Sequence, residues 1–202
     1  MKSPLVVCAV CVLASPAFAQ PEKKPAAFSR MSGGSIQTKL SGSIVVNKNS
    51  SLEREWLTLH DPGVPVELLG TVGVTTAYER DGGARGEYHY KAAYAVQPAE
   101  PLSAIEVRFL VFDLWGGHVR TLVSDEVIDL PANASHDFSA EWRIWSENEV
   151  SRHYASIAYI SRVRTKDGRV IEADPATVIQ EAKKFSKKFA AADLEPKAEQ
   201  KP

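Results

Sequence analysis

Cysteine is nearly missing from this chain: 202 residues hold two, Cys8 and Cys11. Both fall in the first nineteen positions. Cleavage of that segment would leave no disulfide, no thiolate nucleophile and no cysteine-based metal site. An excess of either charge is missing too, with 24 Lys and Arg against 25 Asp and Glu and a net charge of −1. Without a basic excess, nucleic acid and anionic lipid are not expected as partners. Nor is there an apolar run of about 18 residues to anchor the chain in a bilayer. Common catalytic signatures are absent as well: no G-x-S-x-G, H-E-x-x-H, P-loop or G-x-G-x-x-G occurs. No catalytic residue, resident metal or cofactor is therefore nominated.

What is present is ordinary globular composition, 44% hydrophobic and 24% charged. Residues 1–19 read as a secretory signal peptide. Lys2 supplies the positive start, and Leu5 to Ala14 is an apolar run too short to span a membrane. Ala17-Phe18-Ala19 places the cut before Gln20. Export without cysteine suits a bacterial periplasm or the extracellular medium. Residues 20–50, rich in Pro, Ser, Gly and Lys, read as a flexible segment with one short strand near 43–47. Residues 191–202 read as a disordered polar tail.

The body, residues 51–190, reads as strands. Glu55 to His60 alternates, and Val66 to Tyr78 reads as one longer strand marked by Gly70 and Gly73. Asp81-Gly82-Gly83 turns it into a second strand, on which Tyr88, Tyr90, Ala92, Tyr94 and Val96 share a face. Ala104 to Trp115 is the strongest strand signal. Ile105, Val107, Phe109 and Val111 fill one face; Leu110, Phe112 and Leu114 make the far end of the other face apolar. Such a strand is central, with something covering its second face. Segments from His118, Val127, Phe138, Tyr154 and Arg169 complete the set.

A helix is expected over 175–190, with Asp174 as N-cap and Pro175 at N1. Its stripe Val178, Ala182, Phe185 and Phe189 should cover the sheet near Phe112 and Leu114, leaving Lys183, Lys184, Lys187 and Lys188 in solvent. The fold class is thus mainly β: an antiparallel immunoglobulin-like β-sandwich of 7–8 strands with one C-terminal amphipathic helix packed on it.

Leu69-Gly70-Thr71-Val72, Ile105 to Asp113 ending in Phe112-Asp113, the Gly116-Gly117 turn, Val127 to Pro131 and then Phe138 resemble the FxLYD-type immunoglobulin-like domains of exported bacterial proteins. The resemblance covers about residues 68–145. It implies the sandwich fold and carries over no activity or site residue.

The side chains singled out for contact are Trp115, Arg143 and Trp145, because exposed Trp and Arg are the residue types that anchor interfaces. Arg108, Arg120, Arg162 and Arg164 form a possible guanidinium row, with Glu106, Glu141 and Glu172 as candidate counter-charges. The expected role is non-enzymatic binding of an envelope protein or small ligand. The alternative is a periplasmic small-ligand or metal carrier, using the five histidines or the tyrosines Tyr78, Tyr88, Tyr90 and Tyr94. An unrecognised hydrolase is the third reading, and it requires a nucleophile and base converging in a pocket. Trp145→Ala is expected to weaken binding while leaving cooperative thermal unfolding unchanged; a lost unfolding transition would place Trp145 in the core instead.

Overall fold

The computed structural model describes residues 29–32, 54–80, 86–144 and 146–197. The expected signal peptide, the strand near 43–47, the Asp81-Gly82-Gly83 turn, Trp145 and the last five residues lie outside the described residues. Among these residues, ten strands form two sheets. The first sheet contains β1 (Ser29–Ser32), β2 (Glu55–Thr58), β9 (His153–Thr165), β6 (Leu102–Asp113) and β7 (His118–Glu126), in that order. The short β10 (Val170–Glu172) pairs with β9 beyond the end of β2. The second sheet centres on β5 (Gly86–Pro98), flanked on one side by β8 (His136–Ile144). Along its other side lie β3 (Val66–Leu69) and β4 (Thr75–Arg80), end to end. Every pairing is antiparallel except β2 with β9, where residues 55–58 run parallel to residues 155–158.

The single strand expected over Val66 to Tyr78 is therefore two. Gly70 takes a φ of +74°, in the left-handed region that glycine tolerates, and ends β3. Residues 71–74 leave the β5 ladder and cross towards β2. Side-chain hydroxyls bond this stretch instead. Val72 N–H donates to Thr58 Oγ1 at 2.8 Å and Val74 N–H to Ser156 Oγ at 3.0 Å. Gly73 lies against the Trp56 ring so closely that a Cβ there would come within 2.2 Å of the indole.

Between the sheets, the inner faces of β5 (Tyr90, Ala92, Tyr94, Val96) and β6 (Ile105, Val107, Phe109, Val111) meet Ile160 and Val163 of β9. Phe138 and Trp142 of β8 add partly buried rings. Trp142 Nε1–H donates to the Val123 carbonyl at 2.9 Å, and Tyr94 O–H to Ser124 Oγ at 2.8 Å. The tyrosines considered as ligand contacts thus divide. Tyr90 and Tyr94 are core, whereas Tyr78 and Tyr88 are half-buried cross-strand partners 4.9 Å apart.

The second face of β6 is covered as its pattern requires. Leu110 and Phe112 join Leu57, Leu59, Ile157 and Tyr159 in a separate apolar layer beneath α2 (Pro175–Phe185). Asp174 caps that helix, its carboxylate accepting from Ala176 N–H at 3.0 Å. Phe185 stacks on Phe112 with centroids 5.4 Å apart. Leu114 stays exposed.

Four local expectations change. The helix stops at Phe185, and Ser186 caps its end; Phe189 reaches the apolar layer from the chain that follows. A short helix, α1 (Glu147–Arg152), links β8 to β9 and buries Val150. Val127 is 90% exposed, and its segment forms no strand: it meets β6 through the bridge Leu130–Leu102 and one hydrogen bond from Ile128 N–H to the Ser103 carbonyl at 3.2 Å. Ala191–Leu194, placed in a tail by its polar composition, forms a 3-10 turn with Leu194 buried. It is tied down because Thr121 O–H donates to the Asp193 carbonyl at 2.6 Å, and Arg108 Nη1 to the Leu194 carbonyl at 2.9 Å.

Phe112→Ala should lower stability by about 3–5 kcal/mol, the usual cost of emptying a fully buried aromatic site. Urea unfolding would measure it, with a loss below about 1 kcal/mol contradicting the buried helix–sheet layer.

Candidate functional site

The β6–β7 turn carries Trp115, the most exposed aromatic side chain among the described residues at 79%. The turn is held firmly. Asp113 Oδ1 accepts from Trp115 N–H at 2.9 Å and from Gly117 N–H at 2.7 Å. Asp113 N–H donates to the Gly117 carbonyl at 2.9 Å, and Leu114 N–H to the Arg152 carbonyl at 3.0 Å. Gly116 adopts a φ of +76°, and a Cβ on it would lie 3.1 Å from the Phe185 carbonyl oxygen. The glycines therefore let the turn close onto the end of α2. An indole left in solvent by a turn this constrained loses little conformational freedom on binding.

A cleft of about 590 Å³ lies between this turn and the end of α2, lined by Trp115, His118, Lys184, Lys187, Lys188 and Asp193 among others. Lys184 is engaged by Glu181, whereas Lys187 and Lys188 form no ion pair among the described residues. The two carboxylates in the cleft already have partners. Asp113 binds the turn amides. Asp193 accepts from Ala190 N–H at 3.0 Å and Lys197 Nζ at 3.1 Å. Partial burial alone would raise the Asp193 carboxyl, but these donors hold it below the ordinary carboxylate range. The unsatisfied character of the cleft is thus aromatic and cationic.

His118, Thr121 and Asp193 come together here in a way that invites comparison with a catalytic triad. His118 Nε2 lies 3.1 Å from Thr121 Oγ1, and Nδ1 lies 3.6 Å from Asp193 Oδ1. The protons run the wrong way for catalysis. Thr121 already donates its hydroxyl proton to the Asp193 carbonyl, so its oxygen accepts from His118 Nε2–H. No base is then aimed at that hydroxyl, and Thr121 is itself buried. Burial between Phe112 and Phe189 keeps the imidazole pKa below its ordinary value. The cluster fastens the 3-10 turn to β7.

Arg143 is placed elsewhere. It projects from the outward face of β8, opposite to Trp142, and pairs with Glu87 of β5. Trp115 and Arg143 therefore do not share one surface, and Trp145 is outside the described residues. Three of the four arginines of the row are also occupied. Arg108 Nε donates to Glu106 at 2.6 Å, Arg162 Nη2 contacts it at 2.5 Å, and Ser161 donates to the same carboxylate. Burial pushes the Glu106 carboxyl up, yet these donors prevail and keep it low. Arg120 pairs with Glu149.

One group of side chains with metal-ligand chemistry occurs among the described residues. Glu79, His89 and Glu141, on the outward face of the second sheet, offer ligand atoms within 4.8 Å of one another. Separate strands supply them, so no local sequence spacing could announce the group. Lys91 intervenes. Its ammonium bonds Glu79 and lies 3.3 Å from Glu141, raising its own pKa and lowering that of Glu79. A protein cation already stands between the carboxylates.

Comparison with known proteins returned no match: no family model, no curated protein and no solved structure.

If Lys91 occupies the cation position, micromolar Zn²⁺ should leave the thermal midpoint of the wild-type protein unchanged. Lys91→Met should then show a saturable rise of several degrees, by mass action on the native state. A saturable rise in the wild type would overturn this and favour a metal carrier.

Proposed function

We propose that the protein is an exported, non-enzymatic binding module of the immunoglobulin-like type, with the Trp115 cleft as its contact surface. One observation carries the reading: an indole 79% in solvent, fixed on a hydrogen-bonded turn beside Lys187 and Lys188. Core aromatics need no such turn, and exposed Trp beside cations is characteristic of recognition surfaces. The partner that fits is an envelope protein or small ligand presenting an apolar group next to acidic groups. The signal-like first nineteen residues, the FxLYD-type resemblance over 68–145 and the reversed proton order at Thr121 all support a presented surface rather than a reaction. The site of action is the periplasm or the extracellular medium. Of the expected contact set Trp115, Arg143 and Trp145, this reading rests on Trp115 and adds the cleft lysines.

Cross-linking and affinity capture of the chain from Gln20 onward, in its own host envelope, would test this. Trp115→Ala and the pair Lys187→Glu, Lys188→Glu should each lose the captured partner, with thermal midpoints within a degree or two of wild type. Equal capture by wild type and both variants would overturn the assignment of this surface.

A further inference from the structure

Charged groups inside proteins are paired, because an isolated buried ion is costly to desolvate. Arg54, just before β2, departs from that rule. It is 6% exposed. Its Nε donates to the His153 carbonyl at 3.3 Å, and its Nη2 to Thr76 Oγ1 at 3.1 Å. Both partners are neutral. Nη1 is buried without any hydrogen-bond partner among the described residues. Burial lowers the guanidinium pKa only to about 10, so the cation persists at neutral pH.

Two further unpartnered groups adjoin it, each from a different element. Tyr90 of β5 is 0% exposed, and its hydroxyl has no partner. His153, at the start of β9, is also 0% exposed; neither ring nitrogen makes a well-formed hydrogen bond, the Ala155 backbone being a close polar neighbour among the described residues. The two rings meet edge to face, with centroids 5.4 Å apart. The nearby carboxylate of Glu149 is ion-paired with Arg120 at 3.1 Å, and Arg120 donates to its Oε1, although its Oε2 is itself buried without a hydrogen bond among the described residues. Among the described residues, none forms an ion pair with Arg54.

We propose that Arg54, Tyr90 and His153 form an interior binding site for a small oxyanion, either a carboxylate or an inorganic phosphate or sulfate. The donor inventory dictates the ligand class. Arg54 Nη1 can only donate, and the phenol and a neutral imidazole each add one donor. Three donors around one cation match a ligand that only accepts and carries negative charge. Ordered water would satisfy the hydrogen bonds but leave the charge of Arg54 uncompensated. The planar fork of the guanidinium is suited to an oxyanion rather than to chloride. The site is independent of the Trp115 cleft, which lies beyond the first sheet beside α2.

The test uses the full exported chain, refolded from guanidinium chloride into chloride-only buffer so that no co-purified anion remains. Thermal midpoints are then followed against phosphate, sulfate and acetate at constant ionic strength. A saturable rise with at least one oxyanion is expected, and the preferred ion separates a tetrahedral ligand from a carboxylate. Tyr90→Phe keeps the ring and should raise the half-saturating concentration about tenfold, the usual effect of one lost hydrogen bond to a charged group. Arg54→Met should abolish saturation. If Arg54→Met fails to fold, Tyr90→Phe and the wild type still decide the matter. Three results would overturn the site: no oxyanion effect above chloride in the wild type, an unsaturable rise shared with Tyr90→Phe and typical of general salt exclusion, or a crystal structure from oxyanion-free medium placing water alone or a carboxylate of the chain on Nη1.

Discussion

The pairing of β6 with β9 is the interaction on which the rest of the molecule depends. Both strands are long, and each is apolar on two faces over part of its length. Phe109 and Ile160 look into the space between the sheets; Leu110, Phe112 and Ile157 look away from it. A strand pair of this kind cannot be satisfied by one partner layer. The second sheet covers one side, and α2, Phe189 and the 3-10 turn cover the other. The resulting order is sheet, sheet, helix. Where apolar residues give way to Glu106, Arg108 and Arg162 on the outer face, the helical cover ends and a hydrogen-bonded charge network takes its place.

Polar groups are deployed at the margins of this arrangement in two distinct ways. Hydroxyls of Thr58 and Ser156 bond a stretch of chain that no strand pairs with, so Val72 and Val74 are buried without orphaned amides. Asp113 does the same for the turn that presents Trp115. In both places a short side chain substitutes for a ladder, and the backbone keeps one shape. The contact surface proposed for the cleft inherits its rigidity from that substitution.

Much of the architecture was legible in the sequence because it rests on alternation. The period-two faces of residues 88–96 and 104–112 identified the core correctly. The Asp174-Pro175 start located the helix, and Phe112 was correctly placed beneath it. What the sequence does not display depends on contacts distant along the chain. Nothing near Gly70 says that the following residues will find their acceptors on Thr58 and Ser156, so the break between β3 and β4 has no local signature. The polar sequence around Asp193 hides a turn that is ordered only because Thr121 and Arg108 supply partners. Trp115 was legible as a contact candidate, since a Trp beside Gly-Gly has little to pack against locally. In the sequence the cleft lysines are visible only as a solvated stripe, His153 only as one of five candidate metal ligands, and Arg54 not at all, because a lone Arg or His carries no pattern of its own.

The parallel pairing of β2 with β9 has a temporal meaning. Residues 55–58 find their neighbours at 155–158, about a hundred positions later. The second sheet can assemble from contiguous chain between residues 66 and 144. The first sheet has to wait for β9, and its outer layer for α2 and Phe189. Until β9 emerges, the first sheet exists only as the separate pairs β1–β2 and β6–β7, and the outer face of β6 stays uncovered until α2 follows, a condition that slows folding and favours association. Completion is controlled by the last third of the chain, so a protein of this design stays receptive to holding factors until nearly all of it has emerged.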